Sequence, residues 1–163
     1  HEKHIADKHI NRFVGWWGHN KDSRFNMRVD FDPIPTADGW QLSNPPILSL
    51  AGTRSSLDLF EKAGFDNIRK KSVLLTGFLE FLIDDLDMGE ISILTPRSPE
   101  ERGCQLSIQV KNANKSLFHQ LMDKGVVADW REPDVIRIAP APLYNSYTDV
   151  FTFVQILKNC LYA

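Results

Sequence analysis

Cysteine is scarce: the 163 residues hold only Cys104 and Cys160, far apart and without a CxxC pair. That excludes a disulfide scaffold and suits a reducing, cytoplasmic compartment. Apolar runs long enough to span a membrane are missing, and so is a signal-peptide pattern. An excess of charge of either sign is missing too. With 19 basic and 21 acidic residues the net charge is −2, so no electrostatic case for nucleic acid or an anionic membrane arises. What is present is ordinary for a globular protein: 42% hydrophobic, 25% charged and 10% aromatic. The length suffices for one domain with a sizeable core.

The chain divides into a loop-rich segment, 1–45, and a patterned region, 46–163. The first holds "RFVGWWGHN", residues 12–20, which packs two tryptophans, two glycines and a histidine together. Gly15 and Gly18 disfavour a helix, and no period-2 alternation marks a strand. It reads as a loop presenting aromatic surface for something to cover. "FDPIPTADGWQLSNPP" follows with four prolines in sixteen residues, which is loop chemistry.

From Ile47 the periodicities sharpen. A helix is predicted after Pro45-Pro46, stopping at Gly64 as its C-cap. "FDNIRKKSVLLTGFLEFLIDDL" predicts a long amphipathic helix with Ile68, Leu75, Leu79, Leu82 and Leu86 on its apolar face. Asp66 or Asn67 lies near its start, and Gly77 inside it suggests close packing. "ISILT" and "CQLSIQV" read as strands around the turn-rich "PRSPEERG". "NKSLFHQLMDKG" reads as a helix ending at Gly125. "VVADW" and "DVIRIAP" read as strands joined by "REP", and "NSYTDVFTFVQILKNCLY" as a closing helix. The order predicts an α+β fold: a small, mostly antiparallel sheet with helices on one face.

Each candidate for chemistry has a plainer reading beside it. His1, His4 and His9, with Glu2 and Asp7, have spacings that can ligate zinc but lack a Cys pair or HExxH context, so a solvated terminal segment is expected. Cys104, placed in a strand, and Cys160, on the last helix, are expected to be buried structural thiols. Asn114-Lys115-Ser116 matches a glycosylation sequon by chance. Arg137 faces opposite to Ile136 and Ile138; it is either an exposed surface arginine or a bidentate grip for a carboxylate. Asn44 is either a functional polar group or, more plainly, part of a turn or the N-cap of the helix beginning near Pro46. Trp16, Trp17 and His19 belong either to a protein interface or to a ligand site. No complete catalytic constellation emerges from the residues alone.

Six separated strings then fall in one order: "GWWGH", "QLSNPPILSL", "IRKKSVLLTGFLEFLI", "ERGCQLSI", "GVVADWREPDVIRIAP" and "PLYNSYTDV". Together they resemble the C-terminal part of the kynureninase family, over nearly the whole chain. The resemblance implies the small domain of a fold-type I pyridoxal-phosphate enzyme, a homodimer. It also implies hydrolysis of L-kynurenine or 3-hydroxy-L-kynurenine to anthranilate or 3-hydroxyanthranilate and L-alanine, in tryptophan catabolism. Carried over residue by residue, Trp16 and Asn44 would contact the cofactor, His19 the substrate's aromatic ring and Arg137 its α-carboxylate. The family's Schiff-base lysine lies upstream of "HEKH" in a large domain, and Lys3 and Lys8 do not sit in its motif. The expectation is therefore a C-terminal fragment, without an initiator methionine, that is inactive alone. A stand-alone carboxylate-binding module and the small domain of another pyridoxal-phosphate lyase are the competing readings.

Overall fold

The computed structural model describes residues 10–162, which places the N-terminal histidines, Lys3 and Lys8 outside the described residues. The chain divides into two compact units, His1–Asp58 and Leu59–Ala163.

In the first unit, two short 3-10 turns, Trp16–Gly18 and Ala37–Trp40, are the regular features before the helix α1, Ile47–Ala63. Residues 18–20 run antiparallel to 32–34: Ile34 N–H donates to Gly18 O at 2.9 Å and Asn20 N–H to Asp32 O at 2.7 Å. The buried residues of this unit, among those described, are Gly15, Gly18 and Gly39. A Cβ on Gly15 would lie 2.2 Å from Leu42 Cα, and one on Gly18 would lie 2.5 Å from Gly39 O. These glycines are therefore required by close approach of backbone to backbone. The helix α1 buries none of its residues. Its first backbone bond, Leu50 N–H to Pro46 O at 3.0 Å, makes Pro46 the N-cap position. Asn44 lies too far upstream to serve as that cap, which corrects the N-cap expectation for it.

The second unit contains α2 (Phe65–Asp85), β1 (Ile91–Ile93), β2 (Leu106–Val110), α3 (Lys115–Asp123), β3 (Asp129–Arg131), β4 (Val135–Ile138) and α4 (Tyr147–Leu161). The strands form one sheet in the order β1-β2-β4-β3, antiparallel throughout. Gly64, with φ 78°, takes the left-handed conformation that ends α1, and its N–H donates to Phe60 O at 3.0 Å. Gly125, with φ 84°, ends α3 in the same way. Period-2 alternation in β2 buries Leu106, Ile108 and Val110 and turns Ser107 and Gln109 to the opposite face. The core joins these to Ile136 of β4, Leu75, Leu79 and Ile83 of α2, Leu117 and Leu121 of α3, and Val150, Phe153, Val154 and Leu157 of α4. No helix among the described residues is long and apolar enough to cross a membrane.

Several local expectations are corrected. The buried stripe of α2 is centred on Ser72, Leu75, Thr76, Leu79 and Ile83, with Leu82 and Leu86 at its margin. Thr76 enters because its hydroxyl donates back to Ser72 O at 2.9 Å, which satisfies its polar atom locally. A Cβ on Gly77 would meet nothing within 4 Å, so close packing is not its reason. Cys104 lies in a bend before β2 and is only partly buried, whereas Cys160 is buried as expected; both are free thiols. Asn114 of the sequon is the N-cap of α3, accepting from Ser116 N–H at 2.8 Å.

One charged network pins the loop before β2 to α2. Arg102, with its side chain only 3% exposed, donates to Glu80 Oε2 at 2.5 Å and to Pro96 O at 3.2 Å. Arg97 joins Glu80 and Asp84, each at 2.7 Å. Burial pushes the Glu80 carboxyl up, but hydrogen bonds from Arg102 and Arg97 outweigh it and hold the group below its ordinary range.

Candidate functional site

Within the first unit, the "GWWGH" turn is built around its own aromatic contacts. Trp16 is half exposed and meets Phe25 edge-on at 5.3 Å. The Arg24 guanidinium lies 4.8 Å over the Trp17 ring and donates to Trp17 O at 3.0 Å and His19 O at 3.2 Å. It therefore stacks on the turn and ties down two of its carbonyls. The Arg12 guanidinium lies over two further rings, Trp40 at 4.8 Å and Phe31 at 5.5 Å.

His19 is held at both ring nitrogens. Nδ1 accepts from Asp32 N–H at 3.4 Å, and Nε2 lies 3.1 Å from Ser23 Oγ. An accepting Nδ1 places the proton of the neutral ring on Nε2, which donates to Ser23. Phe31 meets the ring edge-on at 5.7 Å. A histidine so engaged offers its ring surface to a neighbour more readily than a free nitrogen.

Trp16, His19, Arg24, Arg28 and Phe31 line a cavity of about 220 Å³. An indole and the Arg24 guanidinium give it aromatic surface and one cationic donor group, which suits an anionic, planar ligand. Arg24 Nε is buried without a hydrogen-bond partner among the described residues, an orphaned donor beside this cavity. Arg28 is also paired with Asp30, at 2.5 Å. Asn44 belongs to the same unit, is exposed, and does not line the cavity. Sequence reasoning missed Arg24. A basic residue in "KDSRF" carries no periodic signal, and its role depends on the turn folding back over it.

Arg137 belongs to the second unit. It sits mid-strand in β4, paired in register with Ser107 of β2 on one side and Asp129 of β3 on the other. Ile136, its neighbour in sequence, is buried, so Arg137 lies on the sheet face away from the core, as its alternation requires. Its Nη2 donates to Asp129 Oδ2, which also accepts from Arg131 Nη2 at 2.9 Å. These hydrogen bonds, Arg137 first, hold the Asp129 carboxyl below its ordinary range against the cost of burial. Gln109 and Asp134 extend the polar face, joined at 3.2 Å. A larger cavity of about 450 Å³ in this unit is lined by residues that include Lys124, Pro140, Tyr144 and Asp149, but not Arg137.

Similarity to known proteins gives the chain a family. A family model described as "Kynureninase C-terminal domain" matches residues 68–157. The chain belongs to this family. The kynureninase of Myxococcus xanthus is 52% identical over 98% of the chain, and that of Stenotrophomonas maltophilia is 53% identical over 95%. The kynureninase of Koribacter versatilis is 49% identical over 95%. The chain spans about 37% of the length of these curated relatives. Among solved structures, a C-DES mutant with glycine covalently linked to its PLP cofactor gives a TM-score of 0.68 at 16% identity, covering 91% of this chain and 38% of that one. The cysteine desulfurase CsdA of Escherichia coli also gives 0.68, at 15% identity, with 93% and 38% covered. At such identities these two show the fold alone. The kynureninase C-terminal domain is thus an α+β unit of the kind found in those enzymes, as the sequence predicts.

Proposed function

We propose that this chain is the C-terminal part of a kynureninase, which hydrolyses L-kynurenine or its 3-hydroxy form to L-alanine and anthranilate or 3-hydroxyanthranilate. The observation that carries this reading is identity near 50% to kynureninases over nearly the whole chain. The full-length enzyme would act as a homodimer in the cytoplasm, where the free thiols Cys104 and Cys160 stay reduced. Residues 1–45 would rest on the large domain and partner subunit, with 46–163 as the small domain.

Pyridoxal phosphate, when bound, supplies the electron sink that lets a carbon–carbon bond of the substrate be broken. The turn around Trp16 fits such a group, since it combines aromatic surface with the orphaned Arg24 donor beside the cavity. Trp16 and Asn44 would contact the cofactor, Trp16 by its half-exposed indole and Asn44 by its exposed amide. His19, with both nitrogens engaged, would offer ring surface to the substrate's aryl group and transfer no proton. Arg137 would bind the α-carboxylate by charge-assisted hydrogen bonds, fixing the amino acid's orientation. No catalytic residue is assigned to this chain, because the Schiff-base lysine belongs to the large domain.

Arg137→Gln in the full-length enzyme tests this reading. It should raise KM for L-kynurenine by about 10- to 100-fold, the worth of hydrogen bonds to a charged group. An unchanged KM would remove Arg137 from the substrate site. The 163-residue chain purified alone should neither hold pyridoxal phosphate through dialysis nor release anthranilate; turnover by it would refute the assignment of the lysine elsewhere.

A further inference from the structure

We propose that Asp129 is a positioning residue for the carboxylate site, holding Arg137 by one corner of its guanidinium so that the opposite end faces an incoming carboxylate. The proposal rests on the reading of Arg137 as the substrate-carboxylate ligand and extends it to a residue that touches neither substrate nor cofactor.

The geometry is specific. Asp129 and Arg137 are directly paired residues on adjacent antiparallel strands, so their side chains leave the sheet on the same face, side by side. Asp129 Oδ2 accepts from Arg137 Nη2. Arg137 Nε is buried without a hydrogen-bond partner among the described residues, so that side of the fork is walled off by protein. With Nη2 engaged and Nε enclosed, the Nη1 end is left to meet a ligand, and the side chain is 33% exposed. Asp129 is itself anchored, since Arg131 donates to the same Oδ2 at 2.9 Å. Ser107 closes the other flank through its register with Arg137.

An unheld arginine on an open sheet face samples many rotamers, and a ligand must then meet the ordering cost. A flanking carboxylate meets that cost in advance. It also partly neutralises the guanidinium, so a purely competitive role for Asp129 predicts changes of opposite sign. The two roles are therefore separable by experiment.

The test uses the full-length enzyme, with steady-state kinetics on L-kynurenine and calorimetric binding of L-alanine, the product that keeps the α-carboxylate. Asp129→Ala should raise KM and the L-alanine Kd by about 10-fold, the worth of one charged hydrogen bond, with kcat within about 3-fold. Asp129→Asn keeps an acceptor oxygen in place and should restore both constants to within about 3-fold of the parent. Asp129→Glu keeps the charge but moves it by one methylene; it should raise both constants, and it supplies the test if the alanine variant does not fold. Lower constants in the alanine or asparagine variant would make Asp129 a competitor and overturn the proposal. Unchanged constants in the alanine and glutamate variants, or equal damage from asparagine and alanine, would overturn it too. Arg137→Gln separates the two levels: if it leaves the L-alanine Kd unchanged, the carboxylate reading itself fails. If it weakens L-alanine while the Asp129 variants do not, only the positioning role fails.

Discussion

Within Leu59–Ala163 the chain is organised around a shared apolar core, where Leu79, Ile108, Leu121, Ile136 and Leu157 lose almost all contact with water. Within His1–Asp58, the buried residues among those described are three glycines, and every described large side chain keeps some exposure. The first arrangement draws on burial of apolar area, which is non-directional and tolerant of local error. The second draws on backbone contacts, arginine stacking and hydrogen bonds such as Arg24 to Trp17 O and His19 O. These are directional, and a displacement of about an ångström forfeits them. The aromatic turn thus has its geometry specified by backbone approach while its large side chains stay open to solvent. That suits a surface meant to be covered by something else.

If that contrast is right, the largest effects on stability should come from the core. Leu79→Ala should cost about 3 kcal/mol by urea unfolding, from lost transfer energy and the cavity left behind. In the other unit the sensitive positions are the glycines. Gly18→Ala sets a Cβ 2.5 Å from Gly39 O, which forces the turn to shift. It should cut kcat/KM of the full-length enzyme by about 100-fold, the scale of an ångström-sized misplacement. A variant with full activity would show that the tight approach is unnecessary. Gly77 supplies the converse. Its Cβ would meet open space inside α2, so Gly77→Ala should raise stability by about 1 kcal/mol and leave activity alone. Ser146→Ala should cost about 1 kcal/mol in thermal unfolding, because Ser146 Oγ accepts from Asp149 N–H in the capping box of α4.

The same contrast explains what could be read from the residues beforehand. Strands and helices of the second unit announce themselves by period, and α4 places Val150, Phe153, Val154 and Leu157 where the spacing puts them. Arg137 on the polar face follows from the same alternation. Its partner Asp129 does not, because register between strands is a long-range property that one sequence does not encode visibly. The inward turn of Thr76 was hidden for another reason: a polar residue enters a core when a local hydrogen bond satisfies it, here from the Thr76 hydroxyl to Ser72 O. In the first unit, Gly15 and Gly18 signalled a loop but not that backbone would stack against them. Arg24 and Ser23 had no signal at all, since their partners are brought near by the turn itself.

The smallest expected effect concerns pH and separates the charged network of the second unit from its apolar core. Glu80 carries a carboxyl held below its ordinary value of 4.5; burial opposes this, and the hydrogen bonds from Arg102 and Arg97 outweigh it. Below that value the unfolded chain binds a proton at this position more readily than the folded one does. Stability from Glu80 is therefore fully present above the ordinary value and lost as pH falls through the folded one. Unfolding free energies measured from pH 6 down to pH 3 should fall less steeply for Glu80→Gln than for the parent, although the variant is weaker at pH 6. Asp84 belongs to the same network through Arg97, so the matched control for a general loss of negative charge is Asp85→Asn, at an exposed position of the same helix outside that network. Parallel curves for the parent and Glu80→Gln would mean that the network contributes nothing in this window, leaving the apolar core to carry the unit.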